Sequence, residues 1–362
     1  MSNQTPSSGP ISFQDLRAAI EDASGNLLSI DSTDVRSLAG TDYIDRGYGS
    51  LISMNDFRGK GGTFLHSVTG HRATWLSGGY RYYSFITSGE LSCSGGYTQM
   101  QIFVLGGGGG GGAGRHGGGG GAGAMQVGSF GIGQGTRQIM IGAQGLEQPN
   151  WFGYSASDPS SDGTRGGDSG VTYSEAFAYG GGTRKSPTPG GCGAGGGSAS
   201  TPAGTGIGAS GIVTTGGYPG GKGDNTFPGP ENGFVSGGGG GVAAKGQDAL
   251  STGSKPTSYC GLGGSGTSVG TFLPGWVFPS PSWPRRNAFG GGGSGSSGTD
   301  GPSGPSPITS PNNGWGGGAG NATGGNATLY SGGGGGGGRF SGNDNNQGGN
   351  GASGFICIRF PG

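Results

Sequence analysis

One segment of the chain gathers the side chains that proteins favour at recognition surfaces. Residues 272–289 hold two tryptophans, three phenylalanines and two arginines among four prolines. Aromatic faces stack on sugars and side chains, arginine supplies charge-assisted donors, and proline lowers the cost of ordering a loop. A smaller aromatic group lies at residues 150–154. These segments predict contact loops, whose candidate residues are Trp276, Phe278, Trp283, Arg285, Arg286, Trp151 and Tyr154. The alternative is that these aromatics pack against the glycine-rich part of the chain and supply its missing apolar core.

Patterns for catalysis, cofactors or metals are weak. Residues 216–222 fit the first part of a phosphate-binding loop, but Gly223 follows Lys222 where a magnesium-binding hydroxyl is required. The histidines His66, His71 and His116 lack a metal-ligand pattern, so surface or capping roles are expected. The cysteines share no ligand spacing, and we expect either buried or incidental thiols at Cys93, Cys192, Cys260 and Cys357. We therefore predict a protein that is not an enzyme and binds no cofactor or metal.

Glycine accounts for 100 of the 362 residues, roughly four times its usual share. The chain must therefore stay disordered or pack backbone against backbone, because glycine has the most conformational freedom to lose. Order is favoured, since 16 phenylalanines, 12 tyrosines and 5 tryptophans separate the glycine runs and only 10% of residues are charged. A strict Gly-X-Y period is missing, which excludes collagen.

The charges balance to a formal net of zero, so the composition gives no electrostatic case for nucleic acid or an anionic membrane. No apolar run approaches the length of a membrane-spanning helix, about 20 residues. The polar start at residues 1–4 lacks the apolar region of a signal peptide, which predicts synthesis in a cytoplasm without export by that route.

The first 60 residues have ordinary composition and contain an imperfect repeat, ISFQDLR at 11–17 and ISMNDFR at 52–58. In each copy a serine stands three residues before an aspartate, which is close to a capping box and predicts a short helix. The duplicated element suits docking on a repeated partner surface. Its candidate attachment residues are Phe13, Asp15, Leu16, Arg17, Met54, Asp56, Phe57 and Arg58.

Residues 61–105 predict a β-rich base. The segments 80–86 and 98–105 are rich in aromatic and β-branched residues with partial alternation, which indicates strands. The apolar segment 354–360, close to the end of the chain, predicts a closing strand. We expect it to pair with an early strand, the one at 102–105 being favoured, because this would protect a sheet edge.

Residues 106–362 alternate glycine runs with aromatic and proline-rich loops. A glycine run can adopt polyproline II geometry, whose backbone groups point outward and must find partners in neighbouring runs. The seven glycines at 106–112 would span about 22 Å at that rise per residue. The expected fold class is therefore mainly β and irregular, with short N-terminal helices, a small β-sheet base and a domain of packed polyglycine II helices bearing aromatic loops.

Two features together resemble the glycine-rich domain of tail-fibre and tail-tip proteins of tailed bacteriophages. The strand 102–105 runs directly into glycines 106–112, as at the start of that domain, and GASGFICIRFP at 351–361 is similar to its closing strand. The repeated elements at 11–17 and 52–58 resemble segments of structural proteins from phages of aquatic bacteria. The architecture is also similar to the distal tail-fibre adhesins of some T-even-type phages, where stacked polyglycine helices hold receptor-binding loops.

The resemblance implies a virion protein, a tail fibre or tail-tip adhesin, made in a bacterial cytoplasm and mounted on the tail through residues 1–60. Implied partners are other tail or baseplate proteins and a host-surface glycan or outer-membrane protein, with assembly as a homo-oligomer, a trimer being favoured. Two alternatives stay open. One is a purely structural fibre, decoration or cap protein, and the other is an ice- or surface-binding protein built from polyglycine helices.

Overall fold

A computed structural model of the protein describes residues 65–94, 98–113, 117–147, 164–171, 177–178, 192, 214–215, 217–223, 235–249, 260–268, 288–295, 324–338 and 347–361. The N-terminal repeat with its predicted helices and attachment residues lies outside these ranges. Within them the chain forms strands and irregular segments but no helix, and hence no helix able to cross a membrane.

The strands belong to antiparallel sheets. In chain order they are β1 (Leu65–Thr69), β2 (Ala73–Ser77), β3 (Tyr80–Phe85), β4 (Gly89–Ser94), β5 (Thr98–Leu105), β6 (Met125–Ile132), β7 (Gly135–Met140), β8 (Ser169–Val171), β9 (Phe177–Ala178), β10 (Thr214–Thr215), β11 (Thr267–Ser268), β12 (Ala288–Phe289) and β13 (Phe355–Pro361). A six-stranded sheet has the order β10-β6-β5-β13-β3-β2 and a five-stranded sheet the order β1-β4-β7-β8-β9. Strands β11 and β12 form a separate pair.

The predicted strands at 80–86 and 98–105 are confirmed as β3 and β5. The predicted closing strand is confirmed as β13, which pairs with β5 so that Phe355 lies opposite Leu105 and Ile358 opposite Ile102. Its other edge pairs with β3. The closing strand therefore lies inside the six-stranded sheet rather than at its edge, and links early strands that are not hydrogen-bonded to each other.

The sheets are larger than the small base that was expected. Strands from beyond residue 105, notably β6 and β7, join those from 65–105 in the two sheets. Glycines at positions 128 and 131 weaken the strand pattern of β6 in the sequence, because glycine is unfavourable inside strands. Pairing with β5 over its whole length offsets that weakness.

An apolar core lies between the two large sheets. The six-stranded sheet contributes Phe85, Met100, Ile102, Ile356 and Ile358, among others, and Leu91, Ile139 and Val171 of the five-stranded sheet pack in the same cluster. All are almost completely buried. Alternation along β5 and β13 sends one set of side chains into this core and the other set to the opposite face.

The opposite face of the six-stranded sheet forms a second core with the glycine-rich part. Phe103, Leu105, Met125 and Phe355 pack there with side chains that flank glycine runs, including Ala122, Val242 and Phe289. The Phe289 ring centroid lies 5.0 Å from that of Phe103 and 5.7 Å from that of Phe355. Apolar side chains thus join the sheets to the glycine runs.

The glycine runs themselves are held by lateral backbone hydrogen bonds. In the run 106–112 every third amide donates to the same neighbouring segment, so that consecutive amides serve three different neighbours. The bonds are 2.7–3.0 Å long. The amides of Gly106, Gly109 and Gly112 donate to the carbonyl oxygens of Ala124, Gly121 and Gly118, in that order. The amides of Gly107 and Gly110 donate to Gly167 and Thr164, and those of Gly108 and Gly111 donate to Ala352 and Gly349. A strand would instead repeat every second residue.

The neighbouring runs approach too closely for side chains. A Cβ placed on Gly108 would overlap the carbonyl oxygen of Gly333, and one on Gly111 would overlap that of Gly336. Gly107 and Gly110 face Ala143 and Leu146 in the same way. The direction that faces a given neighbour therefore also recurs every third residue, and glycine is required because the contact is between two backbones.

Candidate functional site at the far end of the glycine array

The laterally bonded segments form what we term the glycine array. Its described members are 106–112, 117–124, 142–147, 164–168, 218–223, 236–242, 244–249, 261–266, 290–295, 324–328, 332–338 and 347–354. One end, the sheet end, adjoins the ladder pair Leu105 and Met125. The other, the far end, is marked by Gly112, which bonds to Gly118 and Gly338.

Successive members of the array run alternately away from the sheet end and back towards it. The run 106–112 leaves the sheet and 117–124 returns beside it, because Gly106 bonds to Ala124 and Gly112 to Gly118. The same antiparallel relation joins 142–147 with 164–168. The described residues that flank several connecting segments therefore meet at the far end; these segments are 114–116, 148–163, 224–234, 250–259, 296–323 and 339–346.

Polar side chains fasten the far end. The Asn350 Oδ1 accepts from the Glu147 amide at 2.7 Å, while the Asn350 amide donates to the Asn326 Oδ1 at 2.7 Å. The Leu146 amide donates to the Thr164 Oγ1 at 2.7 Å. These bonds join four members of the array, 142–147, 164–168, 324–328 and 347–354. Glu147 and Thr164 directly flank the connecting segment 148–163.

The candidate contact residues fall in segments that start from opposite ends of the array. Trp151 and Tyr154 belong to 148–163, whose flanking residues Glu147 and Thr164 lie at the far end. The other set (Trp276, Phe278, Trp283, Arg285 and Arg286) belongs to 269–287. Its flanking strands β11 and β12 pair at the sheet end, where Phe289 joins the second core. The candidate residues themselves lie outside the described ranges.

A buried arginine was not singled out from the sequence. Arg359 of β13 lies in register with Tyr82 of β3 and Gln101 of β5. Its Nε donates to the Gln101 Oε1 at 2.6 Å and its Nη1 to the Tyr82 Oη at 2.7 Å. The guanidinium carbon lies 4.1 Å from the Tyr80 ring centroid. A single arginine in an apolar closing strand was the only sequence signal. The network links the three central strands of the six-stranded sheet.

The ring of His66 packs where β1 meets the six-stranded sheet. Its Nε2 lies 2.8 Å from the Tyr83 Oη, and the ring centroid lies 4.5 Å from that of Phe360. Burial, together with the charge of Arg81, holds the pKa of His66 below its usual range. His71 is exposed, whereas His66 is only partly exposed and packs against side chains of β3 and β13.

The four cysteines are buried thiols, one of the two alternatives expected from the sequence. Burial raises the pKa of Cys93 to about 11, against the opposing charge of Arg137. Burial likewise raises the pKa of Cys192 to about 12, and backbone hydrogen bonds only partly oppose it. Such thiols stay protonated near neutral pH and are poor nucleophiles. Among the described residues no cluster of histidine, cysteine and carboxylate side chains is arranged to hold a metal ion.

The family comparison agrees with this architecture. The family described as "Glycine-rich domain" matches residues 86–361. The chain belongs to this glycine-rich domain family. The matched range begins directly after β3 and ends with the last residue of β13, so the family domain takes in the whole described glycine array and the closing strand. No curated protein matches the sequence.

Proposed function

We propose that this protein is a structural virion protein of a tailed phage and serves as a tail-fibre or tail-tip adhesin. The proposal rests on one observation: the described residues that flank six connecting segments lie at the far end of a backbone-bonded glycine array. A regularly bonded support of this kind suits the presentation of recognition loops. The resemblance of residues 11–17, 52–58 and both ends of the glycine-rich part to phage tail proteins supports the same role.

The proposed partners follow from these roles. Residues 1–60 mount the protein on other tail or baseplate proteins, and the connecting segments contact a host-surface glycan or an outer-membrane protein. The protein acts as a homo-oligomer, a trimer, and performs no catalysis. It is made in the bacterial cytoplasm and resides in the virion tail.

We also propose that the runs of the array adopt the left-handed polyglycine II conformation. Support comes from the three-residue repeat of the lateral hydrogen bonds and of the close backbone contacts, since that helix has three residues per turn. High-resolution electron cryo-microscopy tests this by measuring the backbone dihedral angles of the runs. We expect φ of about −75° and ψ of about +145°. Alternating strand geometry in run 106–112 would contradict the proposal.

Adsorption to host cells tests the adhesin role. Two double variants are compared in assembled particles, Trp151→Ala with Tyr154→Ala at the far end and Trp276→Ala with Trp283→Ala from the sheet end. Truncating a true anchor commonly costs about 2 kcal/mol, or roughly thirtyfold in affinity. We expect such a loss in at least one variant. Unchanged adsorption by both, with normal protein content in the particles, would favour a purely structural role.

A further inference from the structure

The alignment of a glycine run with its neighbours cannot be chosen by the run itself. Sliding the seven glycines at 106–112 by one residue replaces glycine with glycine. In a strand, side chains on a buried face penalise such a slip. Here a slip also rotates every amide by a third of a turn, so that each donor points at a different neighbour. Something outside the run must therefore select the observed alignment.

The β-ladders supply that selection. The ladder between β5 and β6 ends with Leu105 opposite Met125. The next pair outward, Gly106 and Ala124, is hydrogen-bonded in the same alignment, and so are Gly109 with Gly121 and Gly112 with Gly118. Only the spacing of the bonds changes, from the strand repeat to every third residue. The array thus continues a register set by side chains.

Other ladders continue in the same way. The alignment of β5 with β13 passes into 106–112 and 347–354, that of β7 with β8 into 142–147 and 164–168, and that of β11 with β12 into 261–266 and 290–295. Each of these run pairs keeps the pairing offset of the strands to which it is joined. Register therefore enters the array from the sheet end at several places.

We propose that the β-ladders act as a register lock: they fix the alignment of the glycine runs from the sheet end. A glycine added to such a run is therefore displaced to the far end, into the connecting segment. Side chains inside the sheets choose the alignment, and the identical residues of the runs transmit it. For the runs that continue a ladder, the position at which the connecting segment leaves the far end is then set by strands on the opposite side of the array. This inference concerns assembly of the fold and does not depend on the adhesin role.

The run 347–354 offers a matched contrast, because it is not uniform in sequence. It contains Asn350 and Ala352 among its glycines. A Cβ on Gly351 would overlap the Gly108 carbonyl oxygen, and one on Gly349 would overlap that of Gly325. One glycine inserted after Ser353 moves Ala352 and Asn350 into those two positions. The same insertion in run 106–112 leaves a glycine at every site of that run and places a glycine at the site of Ala113, where no larger side chain is introduced.

The test inserts one glycine into run 106–112 in one full-length variant and one glycine after Ser353 in another. Thermal unfolding and amide exchange of the parent and both variants are compared. We expect the first variant to unfold within about 2 °C of the parent, because the added residue only lengthens the connection that follows the run. Its Gly106, Gly107 and Gly108 amides should keep their protection. The second variant should lose the cooperative transition of the array.

Two results would overturn the register lock. Equal damage from both insertions would mean that the run 106–112 is held in alignment from the far end as well. Equal tolerance of both would mean that the alignment of run 347–354 adjusts freely and is not imposed by β13. A further pair of variants, with two and three glycines added to run 106–112, separates these results. The lock predicts that both behave like the single insertion. Fixation at both ends predicts that neither is tolerated, because each added residue lengthens the run by about 3.1 Å.

Discussion

A methyl group would meet very different surroundings at Gly108 of the array and at Gly128 of β6. A Cβ on Gly108 would overlap a backbone oxygen that cannot move aside, whereas a Cβ on Gly128 of β6 meets nothing within 4 Å. The same glycine-to-alanine substitution can be made at both positions. The surroundings of each residue then decide how the substitution changes the free energy of unfolding.

We expect Gly108→Ala to lower the free energy of unfolding by at least about 3 kcal/mol, at the upper end of the range for overpacked interiors. Gly128→Ala should leave it unchanged or raise it by up to about 1 kcal/mol, because alanine has less freedom to lose. Denaturant unfolding of both variants measures the difference. Similar midpoints for the two variants would contradict the close backbone contacts described above.

We expect acid to destabilise the folded protein through His66. The pKa of His66 is lowered in the folded protein from the unfolded value of 6.5. Above that pH both states are neutral at this ring, and below it only the unfolded state gains the proton. The free energy of unfolding should therefore fall as the pH drops below about 6.5.

Replacement by glutamine removes this titration. Compared with the parent, the His66→Gln variant should lose less stability between pH 7 and pH 5. His71→Gln is the matched control, since His71 is exposed on the adjoining turn, and it should retain the parental acid sensitivity. Melting temperatures across this pH range provide the measurement. Parallel curves for the parent and His66→Gln would rule out this origin of the acid effect.

At the scale of elements, the sequence predicts best where aromatic and β-branched residues are concentrated. The strands β3 and β5 combine such residues with partial alternation, and β13 is an apolar segment bounded by glycine. All three were identified, together with the pairing of β13 and β5. The strand β6 was missed because Gly128 and Gly131 interrupt its pattern. The five-stranded sheet was missed as a unit because β8 and β9 have only 3 and 2 residues. Such short elements acquire their conformation from neighbours rather than from local preference.

The closing strand yields the prediction at this scale. Removing residues 354–362 deprives both β3 and β5 of a hydrogen-bonded neighbour and removes the buried Phe355, Ile356 and Ile358 from the cores. We expect an insoluble or poorly folded protein, because two strand edges and apolar surface become exposed. A chain lacking only residues 361–362 is the control and should fold normally. A soluble, cooperatively unfolding protein after the longer deletion would contradict this role of β13.

At the scale of the whole molecule, lateral bonding of the glycine runs follows from backbone satisfaction alone and is observed. The sequence does not predict which runs are neighbours, because identical glycine segments carry no signal that distinguishes one partner from another. For the same reason, the glycine segments could not indicate from which end of the array each set of candidate contact residues starts. The chain path separates them, since one segment starts at the far end and the other beside the six-stranded sheet.

The attachment hypothesis also belongs to this scale. Deleting residues 1–60 should leave the glycine-rich domain folded but prevent its incorporation into particles, because the repeated element at 11–17 and 52–58 is proposed to dock on the tail. Immunoblotting of purified particles measures incorporation. Deletion of residues 1–10 alone, which spares both copies, is the control. Normal incorporation of the longer deletion would contradict the hypothesis.

Contacts within the array consist mainly of backbone meeting backbone, and the segments between its members depart from its ends. Tolerance to mutation therefore differs along the chain, between the array and the segments that connect its members. Exchange of a whole connecting segment at the far end, by recombination between related genes, leaves the supporting bonds untouched, while a single base change in a glycine codon inside the array disrupts them. A lineage carrying this domain can exchange its connecting segments as cassettes while the glycine array that carries them stays unchanged.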